Sequence, residues 1–147
     1  MSDKDIRVTL VNDGGSGLLA QVAPGVFDNE VNPSLLREFL GDKRHHLAVA
    51  LSAGWVVGMA SAVHYVHPDK PAELWINEIG VADAYRGRGI GRSLLEALLE
   101  RGREVGCRSA WVLTESDNHR AVALYGRAGG QRSSPDLVMF EFRLEVG

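Results

Sequence analysis

The stretch from Glu73 to Gly102 constrains the fold of this chain more than any other. It reads as an apolar strand over Leu74–Val81, a basic glycine-rich turn (Arg86-Gly87-Arg88-Gly89-Ile90-Gly91), then a helix whose Leu94, Leu95, Leu98 and Leu99 recur at helical spacing. In that order the three elements leave a row of backbone N–H groups without intrahelical partners. They also aim the positive end of a helix dipole at whatever lies before the turn. Glycines at alternate positions let main chain approach a bulky ligand, while Arg86, Arg88 and Arg92 add charge and directed donors. This is an anion site suited to a diphosphate; the alternative is a turn that glycine bends and arginine keeps soluble. Spacing sets aside two other phosphate loops. A G-x-G-x-x-G fingerprint would need glycine where Arg92 stands, and the Gly-Lys-Ser/Thr of a P-loop is absent.

Length and charge narrow the class. The 147 residues suit one domain, 1–147, able to bury roughly 70% of the surface its unfolded chain exposes. No apolar run approaches the ~20 residues of a membrane span, so no membrane partner is expected. The opening Met1-Ser2-Asp3-Lys4-Asp5 is acidic and polar where a secretory signal is basic and then apolar, and a cytoplasmic location is expected. The single cysteine, Cys107, reads as a small buried residue rather than a nucleophile. The histidines His45, His46, His64 and His67 lack metal-ligand spacing, so no metal is expected. A net charge of −3 argues against a nucleic-acid partner. Arginines gather at the glycine turn and the helix after it, whereas Asp28, Glu30, Glu115, Asp117 and Asp136 lie elsewhere; one pole suits a polyanion and the other a cation.

Periodicity supplies the remaining elements. Asp5–Val11 alternates as a first strand with one wet face, Ser16 begins a helix running to Val26, and Pro33–Leu40 forms a second, ended by Gly41. Between them Phe27–Asn32 carries two carboxylates and reads either as a solvated loop or as one wall of an acceptor site. His46–Leu51 and Trp55–Tyr65 form a hairpin through Ser52-Ala53-Gly54. Ser109–Thr114 reads as a strand buried on both faces and parallel to the one before the glycine turn. A helix capped by Asp117 or Asn118 follows, closed by Gly129-Gly130, and Leu137–Leu144 alternates as a last strand tied into the sheet.

Two motifs in this order carry a family resemblance. Arg86, Gly89 and Gly91 meet the pattern Arg/Gln-x-x-Gly-x-Gly/Ala, and Asn118-x-x-Ala121-x-x-Leu124-Tyr125-x-x-x-Gly129 follows after an intervening strand. The chain resembles the GNAT superfamily of acetyl-CoA-dependent N-acetyltransferases from about Val8 to its end. The resemblance implies an α/β acyl-CoA N-acyltransferase fold, with a central mixed sheet of six to seven strands flanked by about four helices. It implies acetyl-CoA as donor, held by Ile79, Gly80 and Val81 through backbone, by the turn (Arg86, Gly87, Arg88, Gly89, Ile90, Gly91, Arg92), and by Asn118, Ala121 and Tyr125 beside the pantetheine. A homodimer is expected on the same ground.

Acetyl transfer to an amine sets its own requirements. The acceptor amine, with a pKa of ~10, must lose a proton before attack, and the leaving thiolate, of parent pKa ~8.5, departs more easily beside an acid. Glu78, on the strand before the turn, is the candidate base, directly or through water, and Tyr125 the candidate acid, as the resemblance also implies. Glu78 can equally be a solvent-facing strand residue, Tyr125 a core aromatic, and Asn118 only a helix cap. Within the superfamily, Ile76–Val81, Ala121–Tyr125 and the acidic 28 to 30 loop are most similar to the class I aminoglycoside 3-N-acetyltransferases, with Glu78 where those carry Asp. That similarity implies an aminoglycoside antibiotic as acceptor, acetylated at its 3-amino group with resistance as the result. Asp28, Glu30, Tyr65, Glu78, Glu115, Asp117 and Asp136 would line its site. Acidic loops also suit another small amine or a protein amine, and a non-catalytic acetyl-CoA-binding module stands as the reading from a different class.

Overall fold

The computed structural model describes residues 5–145. Its elements are β1 (Ile6–Leu10), α1 (Pro33–Gly41), β2 (His45–Ser52), β3 (Trp55–Tyr65), β4 (Glu73–Val81), α2 (Ile90–Glu104), β5 (Ser109–Val112) and α3 (His119–Arg127). The strands form one mixed sheet in the order β1-β2-β3-β4-β5, antiparallel except for the β4–β5 pair. The expected mixed α/β class holds, with five strands and three α-helices among the described residues.

Two apolar layers clamp the sheet. On one face α2 lays Ile90, Leu94, Leu95 and Leu98 against Ala48, Ala50, Ala60, Ala62, Leu74 and Ile76. Alanines fill that face of β2 and β3 because the helix lies close to it. A Cβ added at Gly58 would stand 3.1 Å from both Ile90 Cγ2 and Leu94 Cδ1, and one at Gly102 3.1 Å from Leu74 Cδ2. On the other face Leu40 of α1, with Leu19 and Val26, covers Leu47, Val49, Leu51, Val56 and Met59. The hairpin between β2 and β3 turns on Ala53 (φ 49°) and Gly54 (φ 82°), the paired left-handed geometry that matches strand twist.

A shift of register between Ser61 and Ala62 governs β4. Ser61 faces Glu78 whereas Ala62 faces Ile76, so Asn77 is the extra residue of a β-bulge. Before it, Leu74 and Ile76 face α2; after it, Ile79 and Val81 do. The bulge therefore keeps the apolar side of a nine-residue strand on α2 and turns Glu78 and Gly80 to the opposite face. There a Cβ on Gly80 would collide with the Val26 carbonyl oxygen.

Four expectations are corrected. The helix over 16–26 is only a 3₁₀ turn at Ser16–Leu19: Ser16 makes no capping bond, and residues 21–23 run instead along β3, with Val56 N–H donating to the Gln21 carbonyl at 2.8 Å and Ala23 N–H to that of Val56 at 2.9 Å. Ser109–Val112 is not buried on both faces; only Val112 is partly covered, because nothing described lies beyond this edge strand. Residues 137–144, expected as the last strand, have no strand partner and are exposed throughout. The sheet is accordingly one or two strands narrower than expected, and with no helix over 16–26 the helices number three rather than about four.

Distant histidines also meet in the core. His46, 5% exposed, places Nε2 2.8 Å from His64 Nδ1, so one ring donates and the other accepts. Burial foremost, then the nearby charges of His64, Arg101 and His45, lowers the His46 pKa from 6.5 to about 4. A histidine held neutral in the folded state contributes stability that is whole above pH 6.5 and is lost as pH falls toward 4. Wild type at pH 5 should be about 2 kcal/mol less stable than at pH 7 from this source. His46→Gln, which does not titrate, should show a flatter midpoint-versus-pH curve in thermal unfolding, and parallel curves would assign the loss to other groups. Gly80→Ala should cost about 1–3 kcal/mol by forcing the Val26 segment off β4. An unchanged melting temperature would show that the segment does not rest there.

Candidate functional site

The glycine turn is built by backbone constraint. Gly87 (φ 76°) and Gly89 (φ 79°) both occupy the left-handed region, and Gly89 is the N-cap of α2. A glycine cap has no side chain to receive a hydrogen bond, and the first helical bond inside α2 runs from Ser93 N–H to the Gly89 carbonyl at 3.1 Å. The N–H groups of Ile90, Gly91 and Arg92 are thus left for an incoming acceptor at the positive end of the dipole. Gly91 faces α3, where an added Cβ would make ordinary van der Waals contact with Leu124 Cδ2 at 3.4 Å.

Each arginine of the turn rests on a local partner. Arg86 pairs with Asp83 at 3.2 Å and Arg92 with Glu96 at 2.9 Å, both well exposed. Arg88 lies 5.0 Å above the Tyr85 ring and donates to the Ala84 carbonyl at 3.2 Å. Exposed pairs of this kind are worth less than about 1 kcal/mol, so the guanidinium groups can turn to a multiply charged anion at little cost.

Beside the turn the sheet opens. β4 and β5 pair only from Glu73–Ser109 to Ile76–Val112, after which β4 continues for five residues with no partner on that side among the described residues. Residues 77–81 therefore present an unpaired backbone edge that leads to the glycine turn. α3 brings Leu124 up to Gly91 at the start of α2. Asn118 Oδ1 accepts from Ala121 N–H at 3.2 Å, so Asn118, not Asp117, caps the helix. Leu124, Tyr125 and Ala128 pack against the same core as α2. Burial raises the Tyr125 pKa above the ordinary phenol value, so this hydroxyl keeps its proton through neutral pH.

Glu78 is exposed on the face that carries Gly80, next to the loop crossing it. That loop is anchored by buried Val26 and by Phe27 and Val31, which pack against the α1-side core, leaving Asp28 and Glu30 exposed between the anchors. Glu115 and Asp117, also exposed, stand in the connection from β5 to α3. Tyr65 is brought elsewhere. It opposes Glu73 at the far end of β4, five residues or roughly 16 Å from Glu78. Asp136 sits in the exposed segment after α3, its N–H donating to Ser134 Oγ at 3.1 Å.

Sequence reasoning missed an aromatic ladder on this sheet. Tyr65 stacks on Trp75 at 5.9 Å and Trp75 on Trp111 at 5.0 Å, with ring planes within 16°. The signal was a tryptophan on each of two parallel strands, but only the register Trp75–Trp111 brings them face to face. Cys107 is half-buried, and burial raises its thiol pKa, which leaves it a poor nucleophile.

Comparison with known proteins agrees with this geometry. The family described as acetyltransferase (GNAT) matches residues 19–130. The chain is 37% identical over 109 residues to the N-alpha-acetyltransferase RimI of Mycobacterium tuberculosis, covering 73% of this chain and 65% of that one. It is 33% identical over 99 residues to the mycothiol acetyltransferase of Corynebacterium glutamicum, covering 58% and 32%. The chain thus spans less than two thirds of the length of either relative. Among solved structures, an aminoglycoside acetyltransferase from an uncultured soil metagenomic sample superposes with a TM-score of 0.80 at 25% identity, covering 99% of this chain and 100% of that one. With its glycine turn, split sheet and helix α3 in this arrangement, the chain belongs to the acetyltransferase (GNAT) family.

Proposed function

We propose that the chain transfers an acetyl group from acetyl-CoA to a primary amine, and that a polycationic aminoglycoside is the leading acceptor. The observation that carries the reading is the glycine-capped start of α2 beside the unpaired β4 edge at 77–81, with α3, the helix that bears Tyr125, bringing Leu124 up to Gly91. Donors at the start of α2 and the turn arginines suit the diphosphate of the coenzyme. The β4 edge suits an extended amide-bearing arm, which adds to it as a strand would.

The residues then divide the proton work. Glu78, exposed on β4, takes a proton from the incoming ammonium, directly or through water. The amine nitrogen attacks the thioester carbon, a C–N bond forms and the C–S bond breaks. Tyr125, protonated at neutral pH, gives its proton to the departing sulfur, and the resulting phenolate takes the proton that the acetylated nitrogen loses to become a neutral amide. The Tyr125 phenol carries its proton at neutral pH and so has one to donate.

Acidic residues on both sides support a cationic acceptor. Asp28 and Glu30 stand on the loop over Gly80, and Glu115 and Asp117 precede α3. The solved aminoglycoside acetyltransferase supports the same acceptor class. Identity to RimI favours a second reading, acetylation of a protein N-terminus.

Release of free thiol from acetyl-CoA, measured against aminoglycosides, polyamines and peptides, tests the proposal. Turnover with aminoglycosides supports it, with product NMR locating the acetyl group and checking the 3-amino position first. Turnover with peptides alone replaces it by the second reading, and binding of acetyl-CoA with no thiol release for any amine leaves a binding module. Tyr125→Phe should lower kcat by ~10²–10⁴ with little change in KM for acetyl-CoA. Unchanged kcat removes Tyr125 from the mechanism. Asp28→Asn combined with Glu30→Gln should raise KM for a polycationic acceptor most at low salt, and a salt-independent effect would count against an electrostatic role.

A further inference from the structure

The aromatic ladder lies outside both apolar cores. Tyr65, Trp75 and Trp111 pack into neither layer, and Tyr65 and Trp111 are 39% and 37% exposed. They nevertheless hold one another, Tyr65 stacking on Trp75 and Trp75 on Trp111, while His67 extends the row at 6.3 Å from Tyr65. Cross-strand aromatic pairs steady a sheet, but buried rings do that equally well. Steadying the sheet does not account for large rings left facing water, and a patch of that kind marks a surface that receives something.

Strand register sets this row beside Glu78. On the face of the sheet turned away from α2, Ser61 opposes Glu78, Val63 opposes Trp75, and Trp75 opposes Trp111. Trp75 precedes Glu78 by three residues of β4, roughly 10 Å, with Trp111 at its flank on β5. Ser61 and Val63 are themselves only partly covered, so the core under α1 does not reach across this part of the sheet.

The row also carries unused polar groups. Among the described residues neither indole N–H has a hydrogen-bond partner, nor has the Tyr65 hydroxyl. Glu78 is exposed on one side, and Glu115, also exposed, follows Trp111 by four residues. Apolar ring surface, free donors and nearby carboxylates match a ligand with C–H faces, an oxygen-rich rim and positive charge. An aminosugar ring has all three. An apolar peptide side chain would use the rings and leave the donors and carboxylates without a role.

We propose that Trp75 and Trp111 form a subsite for a ring of the acceptor other than the one acetylated. With the reacting amine at Glu78, a ring linked to it reaches the ladder, which at roughly 10 Å along β4 is too distant to hold the reacting ring itself. The proposal rests on the aminoglycoside reading given above and names the part of that acceptor which the ladder holds. Trp75 and Trp111 are then acceptor-binding residues, and they set a preference for linked rings over a single amine.

The chain has three tryptophans, so a Trp55→Phe variant emits from Trp75 and Trp111 alone. Kanamycin, a linked aminosugar, added to it without coenzyme should quench that emission to saturation. Trp111→Leu in the same background should weaken the midpoint about 3–30-fold and raise KM for kanamycin by a similar factor, the change falling on KM rather than kcat. A lower melting temperature in Trp111→Leu with kanamycin binding unaltered would make the ladder a brace of the sheet and overturn the proposal. So would thiol release with kanamycin that leaves the emission unchanged, or quenching by basic peptides and not by kanamycin. Quenching by kanamycin with no thiol release keeps the subsite and overturns the acetylation of aminoglycosides instead, so the two readings fail separately.

Discussion

α2 seats on the sheet with little room to spare at two points, Gly58 beneath its first turns and Gly102 over Leu74, where an added Cβ would lie 3.1 Å from a neighbouring side-chain carbon. That double contact pins both ends of a fifteen-residue helix, and the position of its first N–H groups follows from it. A helix held only by leucines could slide by a fraction of a turn at modest cost. One seated on two glycines is held more narrowly, because a shift presses Ile90 and Leu94 toward the Gly58 backbone and Leu74 toward that of Gly102. An anion site made of backbone amides needs this rigidity, since its donors cannot re-aim as side chains do.

The bulge at Asn77 is the second constraint, and it depends on the first. With α2 fixed, β4 must keep apolar side chains toward it along its whole length. An uninterrupted strand carrying Leu74 and Ile76 would go on to bury Glu78 and Gly80 and expose Ile79 and Val81. One extra residue reverses the alternation. The carboxylate is delivered to the opposite face, and Gly80 comes under the Val26 carbonyl, so that the acidic loop lies against the strand that bears Glu78. The exposed Glu78 carboxylate and the acidic loop beside it thus share one cause.

Much of this was legible in the chain. Glycine at 87, 89, 129 and 130, the asparagine cap at 118 and the Ser52-Ala53-Gly54 hairpin are local signals whose meaning rests on φ angles and nearest hydrogen bonds. The helix over 16–26 failed because its backbone finds better partners on β3, a non-local bond that no window of sequence displays. The His46–His64 pair and the aromatic ladder were hidden for the same reason, since both depend on register between strands.

The amino-acid sequence by itself determined the glycine turn, the order of elements from α1 to α3 and the apolar alternation of 137–144, because each is written in residues that touch through the chain. Tertiary structure alone decided which face Glu78 takes, which histidines meet, and that β5 ends the sheet with an open edge while an apolar segment stands clear of it. Those outcomes turn on strand register and on how closely a helix packs. Both are settled by contacts between residues far apart in the chain, where one inserted residue or one missing Cβ redirects everything beyond it.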